Sequence, residues 1–268
     1  MYSAIGKQIK ISHGFFIMGF AILFTFTACE KITDSDPDKL PAKLKFDFTM
    51  TDFALSGDKD QENTQQNGLT STDQIRQGPD NQHNQFIIDT GTIVIRNIEF
   101  EGRRTQGQEH IYFMTDFPSA HEINLADPDT QPEISFDIPQ GNYYLIEITL
   151  HLGTSELSSL IMQGNYTHPA RGEIPVILDY GPAEQIRIRA RTTGNQTNFA
   201  LSREEDSRGS IELDTDSLMR LVNYGMIVNA TLADREGEEI LLIDENINPG
   251  LFNSISARLP HAFTLVIE

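Results

Sequence analysis

The segment from Ile134 to Leu152 alternates apolar and polar side chains with a period of two, and this feature most constrains the fold. Successive side chains of a β-strand point to opposite faces, so this period is typical of strands buried on one side. Its apolar positions are Ile134, Phe136 and Ile138 before the sequence PQGN, and Tyr144, Ile146, Ile148, Leu150 and Leu152 after it. Proline and glycine favour a turn between the two runs. The segment therefore predicts a hairpin at the centre of a sheet.

The same period recurs along the chain. The further predicted strands include 44–50, 86–100 with a change of phase near Asn97, a hairpin of 160–166 and 174–180, then 186–190, 226–232 and 263–267. Short helices are predicted after a capping residue at Asp214, Thr215 or Asp216 and after Asn248-Pro249. These elements predict an all-β chain, an antiparallel β-sandwich with one or two short peripheral helices.

The N-terminus reads as a targeting segment. Lys7 and Lys10 precede the apolar run Phe15–Ala28, which is followed by Cys29, the only cysteine. The run is shorter than the roughly 20 residues that a membrane span needs. This arrangement resembles a bacterial lipoprotein signal with its lipobox. The resemblance implies that residues 1–28 are removed and that Cys29 carries the lipid that attaches the protein to a membrane.

Residues 29–43 form a polar segment with two prolines, which indicates a flexible tether ahead of a β-sandwich domain at 44–268. A split of that domain into two modules near residue 192 is the alternative. Asp34, Asp36 and Asp38 resemble the acidic sorting segment of Bacteroidota-type lipoproteins, which implies the outer membrane and the cell surface. The alternative for these residues is a merely soluble spacer.

Charge and cysteine content exclude whole classes of function. Removing the two signal lysines leaves 18 basic and 39 acidic residues, a formal charge of −21 for the mature chain. Such a chain repels polyanions, so no nucleic-acid partner is expected. Acylation of Cys29 would leave no thiol for a disulfide, a metal ligand or a nucleophile.

Two features are candidates for binding. The polar stretch Ser56–Gln85 is too long for an ordinary turn, so it is either functional or disordered. Arg187, Arg189 and Arg191 share one face of a predicted strand, and guanidinium groups suit carboxylate or sulfate recognition. The alternative for this arginine stripe is pairing with neighbouring acids on a solvated face.

Motifs for catalysis or cofactor binding are not found. The chain has no glycine-rich nucleotide loop, nucleophile elbow or HExxH sequence, so no catalytic residue, no cofactor and no metal ligand are assigned. A zinc or copper site could still form if folding gathered His110, His151 and His168.

The segments TIVIRNIEFEG, INLADP, FDIPQGNYYLIEITL, LIMQGNYTH and PVILDY resemble β-sandwich domains of uncharacterised prokaryotic surface lipoproteins. They are also similar to copper-associated lipoproteins of Gram-negative bacteria. The first resemblance implies a non-enzymatic, lipid-anchored surface protein that presents loops to an extracellular protein or glycan. The second implies the alternative function, a periplasmic metal-binding lipoprotein.

Overall fold

The computed structural model describes residues 40–57, 85–107, 109–115, 117–194 and 197–268. The predicted signal peptide, Cys29 and the tether up to residue 39 lie outside these ranges, as do residues 58–84 of the long polar stretch.

Strands dominate the described chain. They are β1 Pro41–Met50, β2 Phe53–Ser56, β3 Gln85–Arg104, β4 His110–Met114, β5 His121–Asn124, β6 Ile134–Pro139, β7 Gly141–Leu152, β8 Leu160–His168, β9 Gly172–Tyr180, β10 Glu184–Thr192, β11 Phe199–Leu201, β12 Ser207–Leu213, β13 Ala233–Arg235, β14 Glu238–Ile243 and β15 Phe263–Ile267. The helices are α1 Thr215–Met219, α2 Tyr224–Val228 and α3 Pro249–Ser256, with 3-10 turns at Pro128–Thr130 and Leu259–His261. The prediction of an all-β chain is confirmed.

The strands form one mixed sheet, which corrects the prediction of an antiparallel arrangement. Its main order is β13-β14-β9-β8-β3-β7-β10-β15-β12-β1-β6. Three pairs are parallel: β1 with β12, β10 with β15, and β9 with β14. Parallel neighbours need long crossover connections, and each of these pairs joins strands that are far apart in the sequence. Alternation within a strand does not specify the direction of its neighbour, so the sequence pattern could not reveal this mixture.

The long strand β3 is the spine of the sheet. One edge of β3 pairs first with β8 and then with β7, and shorter strands β2, β5 and β4 pair along β3 as well. A register shift lies between Ile95 and Asn97, which confirms the predicted bulge near Asn97. At the other end, Ser56 of β2 is paired with Gln85 of β3.

The predicted central hairpin of 134–152 is wrong in its pairing, although both strands exist. β6 pairs with β1, whereas β7 pairs with β3, β10 and β11. The backbone N–H of Gln140, between the two strands, donates to the Leu40 carbonyl oxygen at 2.9 Å. The chain therefore crosses from one strand pair to another at this turn. The hairpin of β8 and β9 is confirmed.

A second correction concerns the buried face of β7. Ile146, Ile148 and Leu150 are fully buried as predicted, but Tyr144 is 40% exposed and Tyr143 is buried in its place. The cause is a register shift opposite Arg103 and Arg104, where a bulge changes the phase of β7. The Tyr143 hydroxyl donates to the Pro139 carbonyl oxygen at 2.5 Å.

The sheet curls so that its far strands approach β3 again. Phe113 of β4 contacts Phe136 of β6, with ring centroids 5.4 Å apart, although β4 pairs with β3 and β6 with β1. The Gln131 side-chain amide joins the same regions: it accepts from the Phe48 N–H of β1 and donates to the Phe48 carbonyl oxygen and to the Asn124 carbonyl oxygen of β5. A single amide thus takes the place of a backbone bridge.

The segments outside the sheet hold three short helices. Of the three predicted capping residues, Asp214 caps α1, by accepting from the Ser217 N–H at 2.9 Å. Residues 226–232 were predicted as a strand, but Asn223 caps α2 there by accepting from the Met226 N–H. Capping satisfies an N–H group that a helix start leaves unpaired, and here it outweighs the strand-like composition. Among the described residues no helix is long and apolar enough to cross a membrane.

Two boundaries concern the predicted domains. β1 begins at Pro41, three residues before the predicted start of the domain at Leu44, and Ala42 is already buried. β10, which ends at Thr192, pairs with β15 from the C-terminal end of the chain. β15 also pairs with β12, so the sheet continues across residue 192.

Candidate functional site

The outer face of β4, β3, β7 and β10 carries the arginine stripe. Side chains on this face form levels set by the strand register. One level holds Tyr112, Glu101, Glu147 and Arg189, and the level below it holds Met114, Glu99, Thr149 and Arg187. The level above holds His110, Arg103 and Leu145. Arg191 lies two residues beyond Arg189 and so extends toward this upper level.

Arg187 is held by two carboxylates. One of its terminal nitrogens donates to Glu147 Oε2 at 2.6 Å and to Glu101 Oε2 at 2.9 Å. Bonding to Glu147 raises the pKa of Arg187 above its ordinary value. For this member of the stripe, the structure shows pairing with neighbouring acids, the alternative to ligand binding.

Two histidines also pair with the acids of β3. His151 Nε2 lies 2.6 Å from Glu99 Oε1, and His151 is almost fully buried. His110 Nε2 lies 3.3 Å from Glu101 Oε1, and Arg103 approaches the same oxygen at 3.6 Å. The three glutamates of the lower two levels are therefore already engaged by side chains of the protein.

Arg189 and Arg191 differ from Arg187 in their surroundings. Within the part of the chain that the structure describes, neither forms an ion pair. Arg187 reaches up one level to its carboxylates, because the twist of the sheet offsets neighbouring strands. In the strand register the level next to that of Arg189 holds Leu145 and Arg103. We call Arg103, Arg189 and Arg191, which flank Leu145, the basic row.

A cleft of about 490 Å³ opens at the end of β3. It is lined by Arg104, Thr105, Gln106, Gly107, Glu109 and Tyr144. Thr105, Gln106, Gly107 and Glu109, the described residues between β3 and β4, form one wall, and the exposed Tyr144 lies at the bulge in β7. Leu145, which follows Tyr144 in β7, pairs with Arg103 of the basic row.

Buried groups behind the cleft hold its shape. Arg104 is only 4% exposed, and its Nη1 donates to the Gln140 carbonyl oxygen at 2.9 Å. Gly141 adopts a φ of 147°, and a Cβ atom there would lie 3.1 Å from Arg104 Cδ. A larger residue at position 141 would therefore crowd the Arg104 side chain. Burial raises the pKa of Tyr143 to about 12, with the Arg104 charge acting in the opposite direction. Tyr143 therefore stays a neutral hydrogen-bond donor at neutral pH.

The three histidines named for a metal site are not brought together. His110 and His151 pair with different glutamates, and His168 Nδ1 accepts from the Ala170 N–H in the turn between β8 and β9. In the described ranges no group of three histidine, cysteine or acidic side chains is placed to hold a metal ion.

Sequence reasoning singled out the arginine stripe but missed the cleft. Arg104 and the residues that follow it up to Glu109 carry no sequence motif, and Tyr144 was predicted to lie in the core. The tyrosine doublet at 143 and 144 was the available signal, since one of two adjacent side chains on a strand must face outward.

Comparisons with known proteins give no relative: no family profile, no curated protein and no solved structure matches this chain.

Proposed function

We propose that this protein is a lipid-anchored, non-catalytic binding protein of the outer membrane that faces the cell exterior. Cys29 carries the anchor, and the loop between β3 and β4 presents the binding site to an extracellular partner. The signal-like segment at residues 1–29 supports the proposed membrane location. The sheet supports the proposed binding role, because binding loops are commonly held on rigid sheets.

One observation supports the binding site above all others. Tyr144 is exposed beside a cleft while its neighbour Tyr143 is buried and hydrogen bonded. Bulges commonly re-aim a side chain next to a functional site. An exposed tyrosine also offers a ligand an apolar ring with a polar tip.

The pairing of the carboxylates on this face supports a non-catalytic role. Glu99, Glu101 and Glu147 accept from His151, His110 or Arg187 and lie on an open face of the sheet. General acid or base catalysis instead needs a carboxyl group that can reach the substrate.

We also infer that residues 44–268 act as one domain of sandwich type. The contact between Phe113 and Phe136 and the amide bridge of Gln131 support this reading, because they link β6 and β1, at one end of the sheet, to β4 and β5, which pair with β3.

The anchor is tested by changing Cys29→Ser in the full-length chain. We expect loss of labelling by a radioactive or clickable fatty acid and release of the protein from the membrane fraction. The wild-type chain on intact cells should be labelled by an antibody against the domain. Lipid labelling of Cys29→Ser, or antibody labelling that requires lysed cells, would contradict the proposed address.

The binding site is tested with Tyr144→Ala on a glycan array and on fixed cells. We expect weaker binding with unchanged stability, because the Tyr144 side chain is exposed. Leu221→Ala is the matched control, since Leu221 is 52% exposed far along the chain, after α1. Equal binding by both variants and the wild type would place the binding site elsewhere.

A further inference from the structure

We propose that the free edge of β4 is a docking site for an extended segment of another protein, which pairs with β4 as an added strand. The partner segment carries a net positive charge and has apolar or β-branched side chains at its centre. This site is separate from the cleft beside Tyr144 and goes beyond the binding role proposed for that cleft.

The hydrogen bonds between β3 and β4 show which backbone groups of β4 face away from β3. The Thr115 N–H donates to the Ile98 carbonyl oxygen at 2.9 Å. Bonded and non-bonded residues alternate along an antiparallel pair, so Phe113 also bonds to β3, whereas the N–H and C=O groups of Tyr112 and Met114 point to the free edge. Among the described residues, the backbone groups of Tyr112 and Met114 have no hydrogen-bond partner.

β4 lacks the features that usually protect a sheet edge from pairing, which are charged or proline residues or a very short strand. The terminal strand β13 has only three residues, Ala233–Arg235, and two of them are charged. The terminal strand β6 ends at Pro139. β4 instead exposes Tyr112 and Met114, at 56% and 52% of their surfaces. An apolar edge with free backbone groups is a template for an added strand.

The side chains around β4 select the residues of the partner. On the inner side, Phe113 stacks on Phe100 with ring centroids 5.1 Å apart and meets Phe136 of β6 edge-on at 5.4 Å. On the outer side, an added strand places its side chains next to Tyr112 and Met114. Cross-strand neighbours of such residues stabilise a sheet when they are aromatic or β-branched. Both faces of the added strand therefore favour apolar or β-branched side chains.

The charge of the chain selects the sign of the partner. Glu101 and Glu99 lie directly across from Tyr112 and Met114 in the register of β3 and β4. Without the two signal lysines, the chain has 39 acidic and 18 basic residues. This field repels an acidic segment and speeds the encounter with a basic one. It also opposes pairing between the β4 edges of two copies of the chain, because both copies are acidic. The expected partner is therefore a different protein.

The test uses the mature chain with Cys29→Ser, so that the lipid plays no part. The probe is a synthetic peptide of about nine residues, within the usual length of a strand, that alternates threonine and valine between terminal lysines. One control peptide has terminal glutamates, and a second is the lysine peptide with all inner amide groups N-methylated. We expect isothermal titration calorimetry to show binding of the lysine peptide, binding at least about tenfold weaker for the glutamate peptide, and no binding of the N-methylated peptide. Hydrogen exchange should show new protection of the Tyr112 and Met114 N–H groups.

Two variants of Tyr112 separate the backbone edge from the side chain. Tyr112→Pro removes an N–H that bonds to no residue of β3, so the domain should stay folded while affinity for the lysine peptide falls about tenfold or more. Tyr112→Thr keeps the N–H and should weaken binding less than about fivefold, the effect of one cross-strand contact. Met114→Pro repeats the backbone test at the second free position, and Tyr144→Ala should leave peptide affinity unchanged. Unchanged urea midpoints would show that the variants are folded; if the proline variants unfold, the N-methylated peptide and the exchange data decide.

Several results would overturn the proposal. The lysine peptide might fail to bind, bind equally well when N-methylated, or protect strands other than β4. A folded Tyr112→Pro chain that binds like the wild type would also exclude pairing at this edge. A dimer that Tyr112→Pro dissociates would make a second copy the occupant, and peptide binding only after deletion of residues 58–83 would make that segment the occupant. Loss of peptide binding in Tyr144→Ala would move the site to the cleft.

Discussion

Removing the Gln131 amide should destabilise the domain although Gln131 lies on a connecting segment. Its Oε1 accepts from the Phe48 N–H at 3.2 Å, and its Nε2 donates to the Phe48 carbonyl at 2.7 Å and the Asn124 carbonyl at 2.6 Å. Gln131→Ala leaves both polar backbone groups of Phe48 without this partner. A buried group without a partner costs about 1 to 3 kcal/mol, and water reaches part of this site, so we expect a loss of about 2 to 4 kcal/mol.

The assay is urea unfolding of the mature Cys29→Ser chain, followed by circular dichroism. Gln185→Ala is the matched control, because the Gln185 side chain is exposed on β10, and its effect should stay within about 0.5 kcal/mol. A loss below about 0.5 kcal/mol for Gln131→Ala would show that the amide does not join β1 to β5 and would refute the reasoning.

Gln131→Glu adds a test with a defined sign. The introduced carboxylate would face the carbonyl oxygens of Phe48 and Asn124, which disfavour its charged form and raise its pKa in the folded state. A raised folded pKa gives stability that is present below the unfolded value of about 4 and is lost as pH rises through the folded pKa. The deficit of this variant relative to wild type should therefore shrink as pH falls from 7 to about 4. A deficit that is constant with pH would contradict the geometry.

Three further predictions concern the core, alkaline pH and the long polar stretch. Ile148→Ala should cost about 2 to 5 kcal/mol in urea unfolding, because Ile148 is fully buried; a loss below about 1 kcal/mol would be too small for a core residue. Burial raises the pKa of Tyr143 from 10 to about 12, so its contribution to stability should be present below pH 10 and lost as pH rises to about 12. Tyr143→Phe should remove that part of the alkaline loss, and an identical alkaline profile in the variant would argue against burial of this hydroxyl. Deleting residues 58–83 leaves Gly57-Asn84 as a two-residue turn between paired strand ends and should raise stability by about 2 kcal/mol through lower loop-closure entropy, whereas unfolding would show that the segment belongs to the core.

Much of the fold follows from local pattern. The alternation of Leu44 to Met50, of Ile186 to Ala190 and of Phe263 to Ile267 predicted strands whose buried faces the structure confirms. The arginine stripe was placed on the solvent face for the same reason. These features depend on the two-residue repeat of a strand, which any sequence window contains.

Pairing and direction came only from the tertiary structure. β6 and β7 look like the two arms of a hairpin, yet the intervening Gln140 leads them to different partners. The parallel pairs depend on strands that are distant in the sequence, and no local pattern encodes which distant edge a strand will meet. The sandwich prediction went beyond the sequence for this reason.

The candidate site shows the same division. The sequence alone determined the strand that carries Arg187, Arg189 and Arg191 and their common face, and it predicts a lipoprotein-like signal at residues 1–28. Only the tertiary structure decided that Arg187 is held by Glu101 and Glu147, whereas Arg189 and Arg191 form no ion pair with the described residues. A single bulge in β7 exposed Tyr144 and buried its neighbour. Residue types and their spacing are local properties, whereas ion pairs and clefts arise from neighbours that only the register of paired strands brings together.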